Sequence, residues 1–344
     1  RYELVTAYET YNVEYVIIAT GSRPKILPSM PIDGVKVLSS RDILSLNALP
    51  QKLVIVGGGV IGCEFACIYR QLGVEVTIVE FLPSLVAMED AEVSKRLTSS
   101  LKRQKIKILT KVAVDGFEEI DDGIRLKLSN GKILETDKVL VSVGREAVFG
   151  ADCEGFELAQ EKGFVTIDAE MRSNERKIFA IGDVTGKLML AHTASKQGML
   201  AAEIIRAEIN GEKAKKFVLK YEDVPCCTFT NPEIGSAGLT ETQAIARYGE
   251  IEIGKFMFAA NGKALAQSQI TGFVKLISAK ESGMILGVHI IGTNATELIA
   301  QGSILLGLKA DIEAVRKIVF AHPTLSEALG EALEDLEGLA IHKV

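Results

Sequence analysis

The sequence predicts an α/β protein: a dinucleotide-binding domain of Rossmann type, followed by an α+β domain. Three observations predict it. A fully apolar, β-branched run, Leu53-Val54-Ile55-Val56, leads straight into Gly57-Gly58-Gly59-Val60-Ile61-Gly62 and then into helical periodicity. A second strand, Val74 to Val79, ends in the acid Glu80. From Val218 onward the order becomes strands first and helices after, the pattern of an antiparallel sheet with segregated helices.

Gly57, Gly59 and Gly62 fill the three glycine places of G-x-G-x-x-G. The first allows a tight turn, the second lets backbone approach a pyrophosphate, and the third lets the helix pack close on the strand. The helix is expected from about Val60 to Leu72, with Val60, Ile61, Phe65, Ile68 and Leu72 as its apolar positions and Gly73 as its stop. Glu80 lies 18 residues past Gly62, where a carboxylate accepts hydrogen bonds from a ribose 2′-hydroxyl and repels a 2′-phosphate. A lone glycine motif can be a ligand-free turn. With a strand before it, a helix after it and an acid to complete it, the stretch points to NAD(H).

At 344 residues the chain is long for one core, so two or three domains are expected. A net charge of −6 argues against nucleic acid and against an anionic membrane surface. No apolar run reaches the ~18 residues of a membrane span. The five cysteines show neither zinc spacing nor a secreted disulfide framework, which fits a reducing compartment, and no metal site is expected. Val5 to Ile18 reads like the middle of a fold, so the sequence is expected to begin inside a larger domain, and no targeting segment can be judged.

In chain order, Leu4 to Tyr8 and Tyr11 to Ile18 read as strands. The second feeds Ala19-Thr20-Gly21-Ser22, a small-residue turn that lets backbone approach another segment or a cofactor. Pro24, Pro28 and Pro31 mark a connector, and Ser39 to Leu49 a short helix. Asp90 to Gln104 is an amphipathic helix with Val93, Leu97 and Leu101 on one face. Strands follow at Lys105 to Leu109, Ala113 to Ile120, Ile124 to Leu128 and Lys138 to Val143, the last ending at Gly144-Arg145. Gly163 to Ile167 and Lys177 to Ile181 are strands again. The second stops at Gly182-Asp183, where a carboxylate either faces a ligand or forms a turn. A helix from Ala191 to Asn210 follows, and Met189, Leu190, Ala191 and His192 at its start can offer N–H groups to an electron-rich ring or a phosphate. The last part reads as strands at Val224 to Phe229, Ile251 to Ala259, Gly272 to Ser278 and Met284 to Ile291. Its helices are Thr293 to Leu306, Asp311 to Lys317 and Thr324 to Leu336.

Ala321-His322-Pro323-Thr324-Leu325-Ser326-Glu327 opens the final helix. Thr324 and Glu327 match the capping box S/T-x-x-E, which gives Glu327 a plain structural role. Pro323 restricts His322 to extended conformations and keeps its ring out of the helix. A carboxylate across such a fixed turn can also hold and polarise the imidazole for acid–base work. His289 is expected to pack within a strand, and His342 to sit at a frayed end.

Together and in this order, these motifs resemble the pyridine nucleotide–disulfide oxidoreductase family, and within it the branch that oxidises dihydrolipoamide, from about Glu14 to Leu336. Val16 to Ser22 is similar to its A-T-G segment, Val56 to Glu64 to its NAD turn, and Ile178 to Asp183 to its second flavin motif. Phe258 to Asn261 and Ala321 to Glu327 are similar to runs in its dimer-interface domain. The resemblance implies FAD and NAD as cofactors. Asp183 would bond the ribityl chain of FAD, near the Thr20-Gly21 turn, and Met189, Leu190, Ala191 and His192 would line the flavin. Gly57, Gly59, Gly62, Glu64, Glu80, Val112 and Gly144 would contact NAD. His322 would take a proton from a dihydrolipoamide thiol while Glu327 orients its ring, the pair reaching into the other subunit's active site of a homodimer. The implied partner is the lipoyl domain of a 2-oxoacid dehydrogenase or glycine-cleavage complex, in the cytoplasm or, in a eukaryote, the mitochondrial matrix. The implied division is 1–30 for the remnant of an FAD domain, 31–148 for the NAD domain with its linker, 149–216 for a second FAD-contacting segment, and 217–344 for dimerisation.

The chain departs from the family's pattern in two places. The family's N-terminal flavin fingerprint and its redox pair Cys-x4-Cys do not occur in these residues. Cys63 and Cys67 stand at i, i+4 on the cofactor helix, where geometry disfavours a disulfide, and Cys226-Cys227 read as buried thiols. These 344 residues alone are therefore expected not to oxidise dihydrolipoamide. Glu146-Ala147-Val148-Phe149 also stands where the family has a proline–asparagine turn. Two rival readings are another disulfide reductase using NADPH, against which Glu80 speaks, and a non-catalytic NAD-binding dimer module, which would be colourless rather than yellow.

Overall fold

The structure, a computed structural model, describes residues 1–150, 154–215 and 217–343. It contains two compact units: residues 1–25 with 145–221, and residues 26–144 with 222–344.

The larger unit carries two five-stranded sheets and a three-stranded meander. The first is parallel and five-stranded, built from β1 (Val37–Leu38), β2 (Lys52–Val56), β3 (Glu75–Glu80), β4 (Lys107–Thr110) and β5 (Lys138–Val141), in the order β1-β5-β2-β3-β4. Helices α1 (Val60–Gln71) and α2 (Ala91–Arg103) pack on one face. An antiparallel meander, Val114–Ile120, Gly123–Leu128 and Ile133–Thr136, shares a core with the other. Both faces are thus covered, which is why the central runs Leu53–Val56 and Val139–Val141 are apolar on both sides.

The buried face of α1 differs from the expected one. Cys63, Phe65, Ala66, Cys67 and Tyr69 are buried beside Gly62, whereas Val60, Ile68 and Leu72 are exposed. Small and aromatic side chains, with the half-buried Ile61, fill the contact in place of Val60, Ile68 and Leu72.

The second sheet is antiparallel, from β6 (Cys226–Thr228), β7 (Glu233–Gly238), β8 (Ile251–Met257), β9 (Phe273–Ala279) and β10 (Ile285–Gly292), in the order β6-β7-β10-β9-β8. It shares a core with α4 (Ala295–Gly307) and α5 (Glu327–Asp335). Strand β7 and helix α3 (Glu241–Tyr248) were not expected. Gly235 and Gly238 dilute the strand pattern, and α3 is short, although its capping box of Thr240 and Gln243 was readable. Two expected helices shrink. Ser39 to Leu49 is a 3-10 turn at Asp42–Ser45, where the Asp42 carboxylate accepts from the Ser39 N–H and hydroxyl, and Asp311 to Lys317 is one turn, Ile312–Val315.

In the smaller unit, Tyr2–Val5 and Thr10–Val13 form a hairpin, and Val16–Ile18 pairs in parallel with Ile178–Ala180. Ser22–Pro24 pairs with Arg145–Ala147, and a helix spans Ala191–Asn210 as expected. The expected strand Gly163 to Ile167 is only Phe164–Val165. Among the described residues no helix is long and apolar enough to cross a membrane, and no acid, histidine or cysteine cluster could hold a metal ion.

Candidate functional site

Strand β2 delivers the chain to Gly57, whose φ of +109° suits glycine and whose added Cβ would lie 2.4 Å from the Ser142 carbonyl oxygen. A Cβ on Gly62 would lie 2.0 Å from the Gly57 carbonyl oxygen, so α1 sits as near the turn as a missing side chain permits. Gly59 is different. It starts α1 in an extended conformation without a side-chain cap, and nothing lies within 4 Å of where its Cβ would be. The turn therefore presents open ground over uncapped helix N–H groups, the arrangement that accepts phosphate.

Glu80 closes β3 and is 8% exposed. One carboxylate oxygen accepts from the Gly58 N–H and the other from the Leu82 N–H at 2.6 Å. The acid is clamped against the turn, and each oxygen keeps a lone pair for a further donor. The buried Val112 donates its N–H to the Glu80 carbonyl at 3.0 Å. Gly144, with φ +116°, has open space around its Cβ position. Glu64 lies on α1, but its carboxylate accepts from the Phe229 N–H at 2.8 Å, and burial raises its pKa. Sequence reasoning missed Ser142, whose hydroxyl lies 3.1 Å from the Gly57 carbonyl and 3.2 Å from that of Val56. No local motif marks it, because strand register alone brings it there.

In the smaller unit, Asp183 begins a 3-10 turn, Gly182–Thr185, and accepts from the Ser22 hydroxyl. Arg145 donates to that hydroxyl at 2.7 Å and to the Ser22 carbonyl at 2.8 Å, and its guanidinium lies 3.7 Å from Asp183. Ser22 and Arg145 were not expected as partners of Asp183, because they come from distant parts of the chain. Thr20 is exposed, and the Gly21 carbonyl accepts from the Val148 N–H at 2.9 Å. The fully buried Gln197 accepts from the Gly182 N–H at 2.6 Å and donates to the Tyr221 hydroxyl at 2.9 Å, tying the long helix to the Asp183 turn. Met189 and Leu190 are half-buried before that helix, and Ala191 and His192 are exposed in its first turn.

His322 Nδ1 lies 2.9 Å from Glu327 Oε1. The other Glu327 oxygen accepts from the Thr324 N–H at 2.8 Å, while the Thr324 hydroxyl donates to the Ala321 carbonyl. Glu327 therefore both caps the chain and holds the ring. The expected capping box is only half formed, and the helix starts at Glu327 rather than Thr324. Burial pushes the Glu327 carboxyl up, but the Thr324 N–H and His322 outweigh it and hold the pKa below the ordinary carboxylate value. Ionised Glu327 can only accept, so Nδ1 is the donor in this pair, and in the neutral ring the lone pair belongs to Nε2. The His322 side chain is 77% exposed.

His289 is buried in β10 with Nε2 2.9 Å from the Leu239 carbonyl, and burial lowers its pKa. His342, expected at a frayed end, bonds Glu331 at 2.7 Å. Cys63, Cys67, Cys226 and Cys227 are free thiols. Burial pushes all four upward, Cys226 to about 11, which suits packing rather than thiolate chemistry. Cys153 lies outside the described residues.

Residues 2–198 match the profile of the family described as pyridine nucleotide-disulphide oxidoreductase, and residues 224–333 match its dimerisation domain. A dihydrolipoyl dehydrogenase of Bacillus subtilis is 40% identical over 333 residues, 95% of this chain and 69% of that protein. One from Halobacterium salinarum is 39% identical over 341 residues, 97% of this chain and 70% of that protein. Among solved structures, LpdA from Mycobacterium tuberculosis superposes with a TM-score of 0.88 at 26% identity, covering 97% of this chain and 72% of that one. The HOCl-induced flavoprotein disulfide reductase RclA from Escherichia coli gives 0.84 at 25% identity, covering 95% and 74%.

Proposed function

We propose that the chain, which belongs to the pyridine nucleotide–disulphide oxidoreductase family, acts as its NAD-linked dihydrolipoamide dehydrogenase. The observation that carries the reading is the His322–Glu327 pair. It leaves an exposed imidazole nitrogen with a free lone pair and a fixed carboxylate behind it.

The residues fit both dinucleotides. The open ground at Gly59 suits a pyrophosphate, and the clamped Glu80 suits an unphosphorylated ribose. Val112, whose N–H bonds the Glu80 carbonyl, and Gly144 are the further contacts of this reading, whereas Glu64 would reach a dinucleotide only by sharing its carboxylate with Phe229. In the other unit, Asp183 with Ser22 and Arg145 offers a polar rim for a ribityl chain, close to the Thr20-Gly21 turn. The uncapped start of the helix at Ala191, with Met189, Leu190 and His192, suits the ring. When bound, FAD supplies two-electron exchange with a dithiol and hydride transfer to NAD+.

His322 Nε2 takes the proton from a dihydrolipoamide thiol, and the thiolate is then ready for exchange with a redox disulfide. The cysteines of residues 1–344 nowhere show the family's Cys-x4-Cys spacing, so that disulfide is not among them. Glu327 keeps the ring in one tautomer and stabilises the imidazolium as it forms. The dimerisation region, residues 224–333, contains the pair and supports a homodimer; in this reading His322 would serve the other subunit. The lipoyl domain of a 2-oxoacid dehydrogenase or glycine-cleavage complex is the proposed partner.

The test uses the full-length flavoprotein. His322→Ala should cripple dihydrolipoamide:NAD+ turnover while sparing NADH oxidation by an artificial acceptor. Equal loss of both would overturn the assignment.

A further inference from the structure

The antiparallel sheet carries a polar row on one face. Cys226, Ser236, His289, Lys275 and Lys255 stand directly opposite one another across five strands. Lys275, next to His289 in this row, is 0% exposed, and its ammonium lies 3.0 Å from Asp90, 3.3 Å from Glu92 and 2.6 Å from Glu241. A buried lysine among three carboxylates is costly to desolvate, and it persists only where the geometry is well satisfied.

Asp90 is itself 1% exposed. It caps α2 by accepting from the Glu92 N–H at 3.0 Å, and it accepts from the Glu241 N–H at 3.2 Å. The segment 81–90 joins it to Glu80. Midway along that segment, the Val86 N–H donates to the Gly58 carbonyl at 2.8 Å. The fully buried Leu85 lies so close that a Cβ on Gly58 would meet it at 2.4 Å. The Leu85 carbonyl in turn accepts from the Ser94 hydroxyl of α2 at 2.6 Å. Val86 has a φ of +39°, an outlier for a β-branched residue, and such strain survives only where the surroundings over-determine the backbone. Here Gly58 holds one side and the capped start of α2 the other.

From this chain of contacts we infer that Lys275 is a positioning residue for the dinucleotide turn. By fixing Asp90 it fixes segment 81–90, and through Val86 and Leu85 it sets Gly58 and the Glu80 carboxylate that bonds it. The inference rests on reading Gly57 to Gly62 and Glu80 as the NAD(H) site.

The test compares the full-length wild type with Lys275→Met and with the double variant Lys275→Met/Asp90→Asn. The double variant removes both buried charges yet keeps a competent helix cap, so it folds even where the single variant leaves Asp90 stranded. NADH affinity is read by equilibrium fluorescence titration and stability by thermal melting. Both variants should bind NADH roughly three- to thirty-fold more weakly, the range of coupling through packed networks. The double variant should recover the melting temperature without recovering the affinity. A melting change with NADH affinity within about twofold of wild type in the folded variants would overturn the inference and make Lys275 purely structural. A wild type that binds no NADH would instead overturn the reading of the turn, and the inference with it.

Discussion

Alanine at Gly59 and at Gly62 separates what a ligand requires of the turn from what the fold requires. Gly59 has φ −73° and ψ −172°, which any residue adopts, and a methyl there meets no protein atom within 4 Å. Exchanging glycine for alanine at a helix start costs up to about 1 kcal/mol in capping and regains about 0.4–1 kcal/mol through the unfolded chain. The two nearly cancel, so the melting temperature should move by no more than a few degrees. The methyl does occupy the ground over which a pyrophosphate would approach. Losing one charge-assisted backbone hydrogen bond costs about 1.5–3 kcal/mol, or roughly 10- to 150-fold in NADH affinity. Gly62→Ala has the opposite signature. Its Cβ would lie 2.0 Å from the Gly57 carbonyl oxygen and 2.8 Å from the Ser142 hydroxyl, and the carbonyl belongs to backbone that cannot swing aside. Overpacking of this severity costs about 3 kcal/mol or more. Thermal melts and NADH fluorescence titrations on both variants decide the matter. A Gly59→Ala protein that binds NADH like wild type would refute the account of the open turn.

Three further outcomes are expected. Glu80→Gln removes the charge that repels a 2′-phosphate, a Coulomb effect of about 1–4 kcal/mol at about 4 Å, so the NADH-over-NADPH affinity ratio should fall at least about fivefold; an unchanged ratio contradicts that role. Glu327→Gln leaves the His322 ring without its ionised acceptor, and dihydrolipoamide turnover should drop roughly 10- to 100-fold while NADH binding is unaltered; parallel loss of both would point to a folding defect. Burial pushes Glu89 up to about 7 from 4.5, against hydrogen bonding from Ser236. The folded state therefore holds the proton more tightly, and stability falls as pH rises through the window from about 4.5 to 7. Glu89→Gln should be more stable than wild type by about 3 kcal/mol at pH 8, with no advantage below about pH 4.5. Denaturant melts at the two pH values check this, and a pH-independent difference contradicts it.

Much of the fold was legible because its signals are local. The Leu53–Val56 strand, its glycine turn and the acid at Glu80 are written in adjacent residues, and the structure places them together. The same holds for His322 and Glu327, which a single turn brings within 2.9 Å. What was not legible depends on register and close packing. Ser142, Ser22 and Arg145 reach their partners only through strand pairing between distant segments. The buried face of α1 was misread because large aliphatic residues normally mark the core, whereas a helix seated this near a sheet buries Cys63, Ala66 and Cys67. Glu64 is a further case of a partner set by packing between distant segments. Its carboxylate is on the expected helix and accepts from the Phe229 N–H, a partner no local motif announces.

The most direct test is a structure of the full-length protein determined with NAD(H) bound. The dinucleotide should lie across the Gly57–Gly62 turn, with a phosphate over Gly59 and the adenosine ribose hydroxyls on Glu80. A turn left empty, with the dinucleotide bound elsewhere and Glu80 touching no ribose, would contradict the account.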